Sequence, residues 1–162
     1  MSLKFNTTNY SGFTLIELLI TIGITVILLA AAIPIFSNLQ LSARLNESTN
    51  QLIQNIRLTR SLSVSRTNSS SHGIYFNVNP VGVDSYTVFQ GTSYAARNAA
   101  YDRITTLDDS LALSLSLASG AQEIVFSAAF GVPNTTGTFT LTHTTTGTRT
   151  VSVNAIGKAE QE

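Results

Sequence analysis

The chain of 162 residues has no cysteine, so no disulfide framework, thiolate metal site or cysteine nucleophile can be built from it. Charge is scarce as well. Only 11% of residues are Asp, Glu, Lys or Arg, nine of each sign, and the formal net charge is zero. Without a basic excess nothing recommends nucleic acid as a partner. The sequence has two histidines, His72 and His143, each in a Ser/Thr-rich predicted strand. On paper His143 can be combined with Asp84, Asp102, Asp108 or Asp109 and a serine, but no Gly-x-Ser-x-Gly elbow exists to present the nucleophile. A glycine-rich phosphate loop, an HExxH pair and a Cys/His pattern are all missing. The adjacent Asp108 and Asp109 read as a solvated pair in a loop rather than a calcium site. An enzyme is therefore not expected, and no metal or cofactor is implied.

Charge is also missing from one long stretch. Between Glu17 and Arg44 there is no charged residue, and the run from Leu18 to Phe36 is apolar. Such a run, at ~1.5 Å per residue, approaches the ~30 Å of a bilayer core and can cross it as a helix. Glu17 stands at the mouth of this segment. A charge at the centre of a membrane helix costs roughly 2.5–3.5 kcal/mol, so a carboxylate here calls for a partner or a task. An ordinary secretory signal would have a basic start and a small-residue cleavage site after its apolar core. Here Lys4 is the only basic residue of the leader, and Ala30-Ala31-Ala32 is the sole candidate site of that kind.

A polar leader ending in Gly12, followed by Phe13, Thr14, Leu15, Ile16 and Glu17 and then a single apolar helix, resembles the signal of type IV pilins and type II secretion pseudopilins. The resemblance implies that a membrane aspartyl peptidase cuts between Gly12 and Phe13 and methylates the new amino terminus. It also implies that Glu17 keeps its charge and faces the terminal amine of a neighbouring subunit during assembly. Opposite charges ~4 Å apart are worth ~4 kcal/mol at an effective dielectric near 20, a large part of the cost of burying both groups. Pro34 lies at an offset where pilin-like helices often carry proline. It removes a backbone donor and is expected to kink the helix.

Beyond Pro34, Leu41, Leu45, Leu52 and Ile56 recur at helical spacing, with Arg44, Glu47, Asn50, Arg57 and Arg60 largely on other faces. The helix is expected to resume as an amphipathic one and to end near Arg66, before the turn formers Thr67 to Ser71. The period then changes from helical to alternating. Strands are predicted near 73–78, 85–90, 111–117, 123–127, 138–143 and 149–154. In 111–117 the leucines alternate strictly with Ala112, Ser114 and Ser116, as in a half-buried strand. Thr145-Thr146-Gly147 closes a hairpin whose inward face holds Phe139, Leu141, Val151 and Val153. The stretch 91–106 shows no period and is expected to be an irregular loop.

The expected fold class is α+β: a long N-terminal helix, membrane-spanning in its first half and amphipathic in its second, packed on a mostly antiparallel β-sheet domain of pilin type. The domain reading is 1–12 leader, cleaved; 13–66 spine helix; 67–162 β-rich globular domain. Three further stretches are similar to the GspH/FimT group of minor pseudopilins and minor pilins. They are Ile56 to Arg66; Ile124-Val125-Phe126 with Gly131; and Gly137 to Leu141 with Arg149 to Val153 and the closing Gly157-Lys158. The resemblance implies a structural subunit of a type II secretion pseudopilus or type IV pilus. Its partners would be other pilin subunits, the prepilin peptidase and the bacterial inner membrane, with the β domain outside the cytoplasm. The alternative is a minor pilin that binds DNA for natural transformation. That reading is disfavoured, because Gly157-Lys158 is followed by Glu160 and Glu162 rather than by arginines. A basic patch would have to be gathered from Arg97, Arg103 and Arg149.

Overall fold

The computed structural model describes residues 12–162, and within its first helix the side chains at 31–35 and 37 lie outside the description. Lys4 and the rest of the leader to residue 11 are likewise outside the described residues. The chain divides into two compact units, 1–39 and 40–162.

Helix α1 runs Leu15–Val64, 50 residues. Pro34 sits inside it and does not end it, while the bend expected there falls outside the described residues. Among the described residues no helix is long and apolar enough to cross a membrane. Uninterrupted described side chains of α1 reach only from Leu15 to Ala30, 16 residues. That is about 24 Å of helix, short of the ~20 residues a bilayer core needs. The span expected over Leu18–Phe36 thus extends past the described side chains.

In the second unit the apolar stripe of α1 is buried as its spacing predicts. Leu45, Leu52 and Ile56 are at most 1% exposed. The helix stops at Val64, and Arg66, Asn68 and Ser69 all take positive φ (50°, 54° and 56°) as the chain reverses through a 3-10 turn. The turn formers after Arg66 therefore do what their side chains favour: they abandon the helical ladder.

Eight strands follow: β1 His72–Asn77, β2 Ser85–Gln90, β3 Arg103–Thr106, β4 Leu111–Leu117, β5 Glu123–Phe126, β6 Gly137–His143, β7 Gly147–Val153 and β8 Ala159–Gln161. They form two four-stranded sheets, β3-β2-β1-β5 and β4-β6-β7-β8, antiparallel throughout. Six of the eight lie where alternation predicts them. The expected irregular loop at 91–106 is corrected: it contains a 3-10 turn, Ala99–Tyr101, and strand β3.

One core joins α1 to both sheets. Leu45, Leu52, Ile53 and Ile56 pack with Ile74, Phe76 and Phe126 of the first sheet and with Phe139, Leu141 and Val151 of the second. The rings of Phe76 and Phe139 stack 4.3 Å apart, one from each sheet. Each such side chain, fully buried, contributes about 1.5–3 kcal/mol. The hairpin face predicted from Phe139, Leu141, Val151 and Val153 is buried throughout. Asp84 also enters the interior. Its Oδ1 accepts the Asn79 N–H at 2.7 Å and its Oδ2 the Leu113 N–H at 2.6 Å, so a buried carboxylate ties the β1–β2 connection to β4.

Candidate processing and assembly site

Gly12 and Phe13 precede the helix in extended, exposed chain, and Phe13 is 86% exposed. A Cβ built on Gly12 would meet nothing within 4 Å, so no packing within this chain calls for glycine there. Helix α1 then starts on a cap. The Glu17 N–H donates to Thr14 Oγ1 at 3.3 Å, and the Leu18 N–H to the Thr14 carbonyl at 3.1 Å. Thr14-x-x-Glu17 has the spacing of a capping box, in which a hydroxyl and an acid settle the first free N–H groups of a helix. Glu17 also lies in the first turn, where the helix dipole favours negative charge. Sequence reasoning had treated Thr14 only as a hydroxyl of the motif, although the spacing itself announces the cap.

From Leu15 onward the helix is apolar on every face. Leu15, Leu19, Ile22, Val26 and Leu29 are all more than half exposed within this chain. Two threonines of its first turns are turned back on the backbone: Thr21 Oγ1 donates to the Glu17 and Leu18 carbonyls, and Thr25 Oγ1 to the Thr21 carbonyl at 2.7 Å. A helix apolar all round with its hydroxyls satisfied internally suits lipid or a bundle of like helices. Of the expected site residues, Gly12, Phe13 and Glu17 fall within about five positions at this exposed helix start. Pro34 lies inside α1, and nothing is described of its side chain.

A second place gathers residues that the sequence left far apart. Arg60, Gly131 and Gly157 come from the three stretches singled out above, and they touch. Arg60 Nε donates to the Gly131 carbonyl at 3.1 Å, and Arg57 Nη2 to the Ala159 carbonyl at 3.1 Å. Gly157 has φ +78°, and a Cβ there would lie 2.7 Å from the Gly131 oxygen and 2.9 Å from Arg60 Nε. Both the backbone conformation and the close approach require glycine.

Two further arginines, Arg97 and Arg149, have partners of their own. Arg97 lies 3.7 Å over the Tyr94 ring, gives its Nε proton to Asp102 at 2.7 Å, and is held firmly protonated chiefly by that bond. Tyr94 in turn stacks on Tyr75 at 3.9 Å. Arg149, on the other sheet, donates to Asn46 Oδ1 at 2.8 Å. The patch of Arg97, Arg103 and Arg149 on which DNA binding would depend is split between the two sheets.

His143 is held in a turn. Its Nδ1 accepts from the Thr145 and Thr146 N–H groups at 3.1 and 3.3 Å, so it caps the β6–β7 turn and cannot donate to an aspartate from that nitrogen. Asp108 is occupied by the Ser110 hydroxyl and N–H and by Arg44 at 2.9 Å. Among the described residues no group of His, Asp or Glu could hold a metal ion.

Residues 7–33 match the model of the prokaryotic N-terminal methylation motif, and residues 48–157 match that of the type II transport protein GspH. Among solved structures the chain resembles the type IV minor pilin FimU of Pseudomonas aeruginosa in two crystal forms. The TM-scores are 0.54 and 0.55 at 20% identity, covering 73% of this chain and 92% and 87% of the FimU chains. At that identity the likeness concerns the fold. A comparison with curated protein sequences finds no match. The GspH match covers well over half of the sequence, and the helix-plus-antiparallel-sheet architecture agrees with it. The chain thus belongs to the GspH family of type II transport proteins and carries the prokaryotic N-terminal methylation motif.

Proposed function

We propose that a prepilin peptidase cuts between Gly12 and Phe13, that the new amino terminus is methylated, and that the subunit then enters a secretion pseudopilus or type IV pilus through α1. The observation that carries this reading is the union, in one chain, of the methylation motif at 7–33 with the GspH domain at 48–157. Before assembly the apolar run Leu18–Phe36 holds the protein in the bacterial cytoplasmic membrane, with its β strands outside the cytoplasm. The chemistry of the site supports the mechanism. Cleavage places a cationic amine on Phe13, one turn from Glu17, at the capped start of a helix that carries no other charge before Arg44.

In the filament core Glu17 pairs with the amino terminus of a neighbouring subunit. The attraction, ~4 kcal/mol at 4 Å and an effective dielectric of 20, offsets most of the roughly 5–7 kcal/mol of burying both charges. A subunit displaced along the helix axis leaves both charges unpaired, so the pair fixes register. Pro34 leaves a carbonyl one turn earlier without its donor and lets the helix bend as it packs.

The role is architectural rather than catalytic: His143 is committed to a turn and Asp108 to Ser110 and Arg44. DNA capture is the weaker reading, since Arg103 and Arg149 lie on different sheets and Arg97 is paired with Asp102. The test is Glu17→Val in the full chain, expressed with the other subunits of its filament. The variant is expected at normal level in the membrane but reduced about tenfold or more in the assembled fraction, the loss that ~1.4 kcal/mol produces. Incorporation equal to wild type would show that the charge pair does not operate in this subunit.

A further inference from the structure

The segments that meet near the end of α1 enclose a cleft of about 330 Å³ lined by Arg57, Arg60, Ile156, Gly157, Lys158 and Ala159. Its cations are positioned rather than scattered. Arg57 and Arg60 are three residues apart on one helix and share a face. Each guanidinium is tethered by one N–H to a backbone carbonyl, Arg57 to Ala159 and Arg60 to Gly131. Both terminal nitrogens of Arg60 are left without a bonded partner among the described residues. Lys158 is paired with Glu160, whereas neither arginine has a carboxylate within ion-pair distance among the described residues.

Exposed apolar residues accompany the cleft. Ile156 lines it and is 65% exposed, while Phe130, the chain neighbour of Gly131, is 77% exposed. Val64, one helical turn beyond Arg60, is 43% exposed and lies against Gly131. Tethered arginines accompanied by an exposed aromatic and exposed aliphatic residues are the composition of an interface hot spot. A carboxylate is the anion that an arginine fork accepts with two parallel bonds.

We propose that this cleft receives the carboxylate of an Asp or Glu on a neighbouring protein subunit, bound by Arg60 with Arg57 beside it, while Phe130 and Ile156 cover apolar residues flanking that acid. The assignment rests on the assembly reading above and adds to it the surface used. Charge complementarity selects an isolated acid over a polyanion. Two tethered arginines suit a single carboxylate, and the exposed apolar side chains gain nothing from a sugar–phosphate backbone.

The experiment uses the full chain, extracted from membranes after co-expression with the other subunits of its filament. The readout is the amount of each subunit that co-purifies. Arg60→Glu is expected to lower one particular subunit about tenfold or more, and reversing one acid of that subunit to Lys is expected to restore it. Phe130→Ala, which removes only an exposed ring, is expected to lower the same subunit, and Arg149→Glu, on β7 and outside the cleft, to leave it unchanged. If wild type co-purifies and Arg60→Glu does so equally well, the docking site is wrong while the assembly reading stands. If wild type co-purifies with no subunit, the assembly reading falls and the docking site with it. Binding of duplex DNA at ~150 mM salt by wild type, abolished by Arg60→Glu, would assign the cleft to phosphate and overturn the carboxylate.

Discussion

Asp108 shows how a single exposed-looking acid becomes part of the fold. The Ser110 hydroxyl and N–H, with Asp109 and Arg44 adding less, hold its carboxyl at about 2, below the usual 3.8. A carboxyl depressed in the folded chain contributes stability that is complete above its unfolded value and is lost as pH falls toward the folded one. Urea midpoints of the unit 40–162 should therefore fall between pH 4 and pH 2, and Asp108→Asn should flatten that dependence. The ion pair itself counts for little, since Arg44 is 51% exposed; the Ser110 bonds dominate. Glycines divide in the same way, by what surrounds them. Gly157→Ala forces a Cβ to 2.7 Å from a carbonyl oxygen at φ +78° and should cost about 1–3 kcal/mol in denaturant unfolding. Gly12→Ala meets nothing and should leave unfolding unchanged while blocking processing.

Helix α1 is one element with two kinds of surface. Leu52 is 1% exposed and Leu19 59% exposed on the same helix. In the full chain held in detergent, Leu52→Ala should lower the stability of the second unit by about 2–5 kcal/mol, and Leu19→Ala should shift it by less than about 0.5. Equal effects would mean that the two halves do not differ in packing. The difference was legible in the sequence, because four apolar residues at helical spacing among charges announce a one-sided helix and an uncharged run does not. The strands with one buried face were legible for the same reason: Leu111 to Leu117 alternates and is β4. Strands β3 and β8 were not. Ile104 of β3 is 69% exposed, so no face of that strand carries an apolar signal, and β8 has three residues with only Ala159 buried. Both are edge strands fixed by backbone pairing to β2 and β7, which composition does not record. The order of 91–106 was hidden too, since it rests on Arg97 sandwiched between Tyr94 and Asp102.

For the molecule as a whole, the sequence disclosed the architecture and the processing motif but not the pairing of β1 with β5 and of β4 with β6 across long connections. That partition brings Gly131 and Gly157 to Arg60, so the cleft beside α1 was illegible although its residues had been noticed one by one. Division of the basic residues between the sheets also sets an expectation for nucleic acid. The full chain should bind duplex DNA weakly with a shallow salt slope, and micromolar binding at ~150 mM salt with a steep slope would favour DNA uptake. The central claim is that this is a processed filament subunit whose working amino terminus is Phe13. Intact-mass spectrometry of the protein extracted from bacterial membranes tests it most directly. A chain beginning at Phe13 and carrying one N-methyl group is the predicted result; a chain that retains residues 1–12, or one cut after Ala32, would contradict it.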